Sequence, residues 1–263
     1  QWLIFASRFV QTQLKTYLTT LESSPTIIVV TPDAEFSDKQ DGYTMRPSIA
    51  DDYKQLAQSL ISRETWPAQI VYAWGMANGA AKKQMSTEQV DDFQSLLYLT
   101  QAVSPRMSET GTNLGSSDKL TLSILTTGIY DIASSDSLNP HKAKALGFSQ
   151  VIAQEVPGVA CRLIDVEFAL NAVKSGLMQQ LYRELLSPYN LTQRQIAYRD
   201  SQRWVQTYEP ISLPEQSPAL LKQNGTCLIA GDLVEGLGVV YAQALIKEFD
   251  AKLILLGRPG RPA

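Results

Sequence analysis

Strand-length apolar runs recur along this chain, with helix-length amphipathic segments between most of them, and that rhythm constrains the fold more than any other feature. The runs are Trp2 to Ala6, Thr26 to Thr31, Gln69 to Ala73, Leu120 to Thr126, Val159 to Val166, Cys227 to Ala230 and Leu253 to Leu256. The segments between them are Arg8 to Leu21, Ser48 to Ile61, Thr87 to Ser104, Lys142 to Glu155 and Phe168 to Leu186. A strand followed by a helix returns to its sheet by a crossover, so its next neighbour runs parallel to it. The expectation is an α/β fold: a truncated, doubly wound Rossmann-like unit with a mainly parallel sheet, followed by the first βαβ of a second Rossmann-like unit. At 263 residues and 44% apolar content, the chain has enough material for a sheet covered on both faces.

Local signals refine this outline. Ser86-Thr87-Glu88 precedes a Val90, Phe93, Leu96, Leu97 stripe that is expected to face the core, and Asn139-Pro140 opens the helix of Ala143 to Val151. Arg194 to Pro210 reads as a β-hairpin turning at Asp200-Ser201. The Pro- and Ser-rich stretch that follows divides the chain into residues 1–213, a linker at 214–223, and residues 224–263.

Composition removes several classes of function. A net charge of −3, with no stretch of Lys and Arg interleaved with aromatics, argues against a nucleic-acid partner. No apolar run approaches the roughly 18 to 20 residues of a membrane span, and no basic region with a signal-like core opens the chain, so no membrane association is expected. Cys161 and Cys227 lie inside apolar runs, as small buried hydrophobes of a reducing, cytoplasmic protein do. The lone histidine, His141, sits in a helix start as a surface residue and leaves no metal-binding set. The chain opens inside one strand and stops after another, which suggests a piece of a longer polypeptide.

The residues that carry chemistry are sparse. In a dinucleotide site, a glycine turn lets the backbone approach a pyrophosphate while the next helix N-terminus supplies N–H donors. The candidate turn is Gly231-Asp232-Leu233-Val234-Glu235-Gly236-Leu237-Gly238, with Gly231, Gly236 and Gly238 as the cofactor-binding candidates. Four residues separate its first two glycines where short-chain reductases have three. Asp232 and Glu235 also place carboxylates where a dianion would sit, and at about 4 Å each unit-charge repulsion costs roughly 4 kcal/mol at an effective dielectric near 20. Arg258 stands where an arginine takes a ribose 2′-phosphate and selects NADPH. The acidic, lengthened turn weighs against any cofactor.

The first unit offers less. No glycine follows its opening strand, and the Gly75 to Gly79 stretch reads as a surface loop. No tyrosine is followed four positions later by lysine, the spacing that places a reductase's proton relay on one helix.

The WLIFA strand, the block NPHKAKALGFSQVIAQEVPGVACRLIDV, the hairpin AYRDSQRWVQTYEP and the turn GTCLIAGDLVEGLG stand in the order and spacing of one family. Over essentially its whole length the chain resembles the ketoreductase regions of modular type I polyketide synthases. The resemblance implies an N-terminal structural subdomain that binds no cofactor, at residues 1–213, and the start of a catalytic subdomain that binds NADPH, from residue 224. The family's catalytic Ser, Tyr and Lys would lie beyond Ala263, so no catalytic residue is carried over.

Two readings follow. One is a pseudo-ketoreductase, a non-catalytic scaffold beside a dehydratase, C-methyltransferase, enoylreductase or acyl carrier protein of the same module. The other is part of an active ketoreductase that reduces carrier-bound β-keto thioesters with NADPH. The altered glycine turn favours the scaffold, with no cofactor. A third reading, an independent small-molecule binding protein, needs a pocket that the sequence does not locate.

Overall fold

The computed structural model describes residues 1–8, 10–12, 25–39, 42–76, 91–110, 120–132, 136–167, 175–200, 202–212, 221–231 and 236–257. Two compact units form, Gln1–Thr207 and Tyr208–Ala263.

The first unit is built on a nine-stranded sheet ordered β3-β4-β2-β1-β5-β6-β7-β8-β9. Its strands are β1 (Trp2–Phe5), β2 (Ile27–Pro32), β3 (Ser37–Lys39), β4 (Gly42–Met45), β5 (Gln69–Tyr72), β6 (Leu120–Thr126), β7 (Val159–Val166), β8 (Gln195–Arg199) and β9 (Gln202–Val205). All neighbouring pairs are parallel except β3 with β4 and β8 with β9 at the two edges. Its helices are α1 (Ala50–Ser62), α2 (Asp92–Thr110), α3 (Ala143–Glu155) and α4 (Ser175–Leu186). This is the expected doubly wound, mainly parallel α/β fold.

Burial explains the pattern. β1 and β5 are buried at every position, as the middle of a sheet covered on both faces requires. Alternate residues feed two cores. On one face Leu3, Phe5, Ile70, Tyr72, Leu122, Ile124, Cys161 and Leu163 pack with α1, α2 and α3. On the other, Trp2, Ile4, Val71, Ile164 and Ile196 pack with Met178, Leu181, Tyr182 and Leu185 of α4. The helices present single stripes: Tyr53, Leu56, Ala57 and Leu60 on α1, and Ala145, Phe148, Ser149 and Ile152 on α3.

Three expectations need correction. Of the expected α2 stripe Leu96 is buried, and the buried face continues through Leu99, Val103 and Met107, whereas Phe93 and Leu97 are 40% and 37% exposed and Val90 lies outside the described residues. Phe93 lies on the flank and meets Phe148 edge-on at 6.5 Å. The helix also continues beyond Ser104 through Pro105 to Thr110, because burying Val103 and Met107 outweighs the backbone bond that proline removes. Finally, β3 and β4 escaped the sequence reading. They are three and four residues long, and β4 opens on Gly42, where a Cβ would lie 2.5 Å from the Val29 carbonyl oxygen. The polar edge strand Ser37–Lys39 and the Gln202-Arg203 edge discourage further strand pairing.

The second unit contains β10 (Thr226–Ala230), α5 (Leu237–Phe249) and β11 (Lys252–Leu256), with β10 and β11 parallel. It is the βαβ expected from the sequence.

Candidate functional site

Open doubly wound sheets bind ligands outside the carboxyl ends of their strands, where the strand order reverses. In the first unit that point lies between β1 and β5, because β1 has β2 on one side and β5 on the other. Among the described residues, aromatic side chains of the core border it. Phe5 ends β1 and meets Trp74 edge-on at 5.1 Å, Tyr72 at 6.1 Å and Tyr53 at 6.5 Å. Trp74, Gly75 and Met76 form a short 3-10 turn after β5, and all three are buried. The surface loop expected at Gly75 is therefore a buried turn at Trp74–Met76, while residues 77–79 lie outside the described residues. A side chain at position 75 would be crowded, since a Cβ would stand 3.0 Å from the Leu125 carbonyl oxygen and 3.4 Å from an Asp92 carboxylate oxygen.

Beside this turn lies a buried polar network. Lys142 Nζ donates to Asp92 Oδ2 at 2.7 Å, and the Tyr72 hydroxyl donates to Asp92 Oδ1 at 3.1 Å. Tyr53 and Ser95 share a hydrogen bond of 2.6 Å, and the Tyr53 hydroxyl also reaches the Pro47 carbonyl. Burial, and next the Asp92 charge, push the Tyr72 phenol well above its ordinary range. Tyr, Lys and Ser are the residue types that reductases use, but here their polar atoms face one another inside the protein. The network ties the starts of α2 and α3 to the end of β5. The sequence search missed it because Tyr72 and Lys142 are brought together across the fold through Asp92, not along one helix.

Two more ion-pair clusters were also missed. Arg199 donates to Asp136 at 3.0 Å and Asp165 at 2.8 Å, and to the Tyr130 carbonyl at 2.8 Å. Arg162 reaches the carbonyls that end α4, and Glu184 accepts from Arg203 at 2.6 Å and Tyr198 at 2.7 Å. The sequence did carry a signal for both clusters, since Arg162 and Asp165 interrupt the apolar strand VACRLIDV.

In the second unit, Gly231 and Gly236 have φ angles of 151° and 122°, a region in which a side chain would be strained. Both are exposed. Gly236 is the N-cap of α5 and makes no side-chain cap, so the first backbone donors of that helix have no such partner. Gly238 follows in the first turn and is half-buried. The Gly231 N–H is bonded to the Leu256 carbonyl at 3.0 Å, which fastens the end of β10 to β11. Asp232, Glu235 and Arg258 lie outside the described residues. His141 is exposed, and its backbone N–H bonds the Asn139 side chain at the 3-10 turn preceding α3. Among the described residues no group of His, Cys, Asp and Glu could hold a metal, and no helix is long and apolar enough to cross a membrane.

The family model described as beta-ketoacyl synthase-like, N-terminal, matches residues 2–184. The chain belongs to that family. The matched region of this beta-ketoacyl synthase-like chain runs from β1 to the end of α4 and so contains the aromatic packing and the Asp92 network. No curated protein matches the sequence. Among solved structures, it is similar to the multidomain structure of a keto acid-selecting NRPS module with adenylation, ketoreductase and pseudo-Asub parts, at 20% identity and a TM-score of 0.68, covering 98% of this chain and 21% of that one. An N-terminal ketoreductase from the macrolactin assembly line matches at 20% identity and a TM-score of 0.63, covering 100% of this chain and 50% of that one. The first ketoreductase of the tylosin PKS matches at 16% identity and a TM-score of 0.63, covering 97% and 48%. The chain thus has the fold of polyketide synthase ketoreductase regions, and spans about half or less of the length of these structures.

Proposed function

We propose that this chain is a non-catalytic structural part of a ketoreductase-like region in a type I polyketide synthase, a pseudo-ketoreductase scaffold that holds neighbouring domains in place. The aromatic packing at the end of β1 and β5 carries the reading. Phe5, Tyr72 and Trp74 border the point where a doubly wound sheet would admit a nucleotide, and no glycine follows β1 to let a phosphate approach the backbone. The only Tyr–Lys pairing described is spent on Asp92 in the interior. The lengthened, acidic turn from Gly231 to Gly238 adds support from the second unit. In this reading no cofactor binds, and the partners are a dehydratase, C-methyltransferase, enoylreductase or acyl carrier protein of the same module.

The alternative, part of an active NADPH-dependent ketoreductase acting on carrier-bound β-keto thioesters, is favoured by one observation. Gly231 and Gly236 hold the positive φ angles of a tight turn at an uncapped helix start. Under that alternative Gly231, Gly236, Gly238 and Arg258 would bind the cofactor.

The scaffold is tested by deleting residues 1–213 from the parent synthase and measuring both turnover and the melting temperature of the adjoining domain. A fall in either is expected. Unchanged turnover together with an unchanged melting temperature would sink the reading.

A further inference from the structure

The aromatic packing of Phe5, Tyr72 and Trp74 lies at the carboxyl ends of the strands. A cavity of about 430 Å³ opens at the opposite end, where α4 stops and the chain passes through the 3-10 turn Leu191–Gln193 into β8. Its wall includes Arg183, Ser187, Tyr189, Asn190, Gln193 and Arg203.

Much of the charge here has a structural job. Arg162 donates through Nε to Ser123 at 3.1 Å, through Nη1 to the Glu184 carbonyl at 2.6 Å and Ser187 Oγ at 3.1 Å, and through Nη2 to the Leu185 and Ser187 carbonyls at 3.3 and 3.2 Å. A guanidinium has five N–H donors, so Arg162 has none left over. The Glu184 carboxylate is matched by the two bonds from Arg203, at 2.6 and 3.2 Å, and by the Tyr198 hydroxyl.

What remains is a surplus of donors and positive charge. Arg183 is exposed and pairs with no carboxylate among the described residues. Arg203 uses Nε and Nη2 for Glu184 and Gln193, and its Nη1 group meets no acceptor among the described residues. Tyr189 lies in the same wall, its phenol raised by burial and its hydroxyl beside Arg194 and the Cys161 backbone. Pro188 and the Tyr189 ring supply apolar surface beside these groups.

We infer that this cavity is a binding site for a small phosphate ester. Two guanidinium groups offer donors to the terminal oxygens of a phosphomonoester, and the volume leaves room for an organic part against Pro188 and the Tyr189 ring. The site lies at the opposite end of the strands from the place where sheets of this kind bind nucleotides, so it stands whether or not the scaffold reading does.

The test is calorimetric titration of the intact protein with glycerol 3-phosphate at fixed ionic strength, with glycerol and acetate as controls. One saturable site with a Kd of about 0.1 mM or tighter is expected, with no matching heat from either control. Arg183→Gln should weaken binding about tenfold, with the melting temperature unchanged. Absence of saturation up to about 10 mM, equal binding of acetate, or undiminished affinity in Arg183→Gln would overturn the assignment.

Discussion

The two units of this chain are written in the same grammar, a parallel strand, a helix and a parallel strand, yet they end in opposite states of burial. In the first unit β1 and β5 are buried at every position, and Phe5, Val30 and Tyr72 have no exposed surface. In the second no residue of α5 is buried, and Leu228, Ile254 and Leu256 are 63%, 55% and 61% exposed. These three project from one face of the β10–β11 pair, since Leu228 pairs with Ile254 and Ala230 with Leu256 in register. The difference teaches that alternating strands and helices specify local pairing, whereas stability needs layers on both faces of the sheet. A two-stranded ribbon with one helix supplies a single layer.

The widest gap between the units should appear in thiol chemistry. Burial pushes the Cys161 thiol up to about 12, and the residue has no exposed surface, whereas Cys227 is half-buried on β10. Under native conditions an alkylating reagent at pH 8 should modify Cys227 at least about a thousandfold faster than Cys161, followed by mass spectrometry. Comparable rates would mean that the first unit opens as readily as the second.

Stability comes next. All four tryptophans precede residue 207, so selectively excited tryptophan fluorescence in urea reports the first unit. Trp74→Ala should cost about 3–5 kcal/mol by emptying the space against Phe5 and Tyr72. Leu228→Ala in the second unit should change the circular-dichroism unfolding curve by less than about 0.5 kcal/mol. Asp92→Ala should cost about 3 kcal/mol, because it leaves Lys142 buried without its partner. Replacing both residues, as Asp92→Leu with Lys142→Met, should recover much of that loss, and a double variant as unstable as the single one would contradict the role of the Asp92–Lys142 pair.

The smaller effect is a pH dependence confined to the first unit. Burial alone would raise the Glu184 carboxyl, but hydrogen bonds from Arg203 and Tyr198 and the nearby Arg162 charge hold it below the ordinary value. Its folded value is thus lower than the unfolded one of about 4.3, so its stabilisation is complete above that pH and is lost as pH falls through the folded value. The urea midpoint of the fluorescence transition should drop on acidification below about pH 4, and Glu184→Gln should flatten that drop. An equally steep fall in the variant would assign acid sensitivity to other carboxylates.

Much of the fold was legible because its signals are local. β6 and β7 fall on the residues that their apolar runs predicted, and the Asp200 turn formed the expected hairpin. What escaped was set by partners distant in sequence. β4 runs where Gly42 lies close against Val29 of β2, and Phe93 stands on the flank of a helix whose buried face runs through Leu96 and Leu99. The candidate site was less legible still. The glycine turn could be found from spacing, but the aromatic packing and the Asp92, Glu184 and Asp165 clusters unite residues from separate elements that no linear motif connects.

The most direct test of the scaffold account is titration of the parent synthase module with NADPH, any enoylreductase site being blocked, followed by nicotinamide fluorescence. The account predicts no saturable change up to about 100 μM. Saturable binding in the micromolar range, lost on Arg258→Ala, would contradict it and put the active ketoreductase in its place.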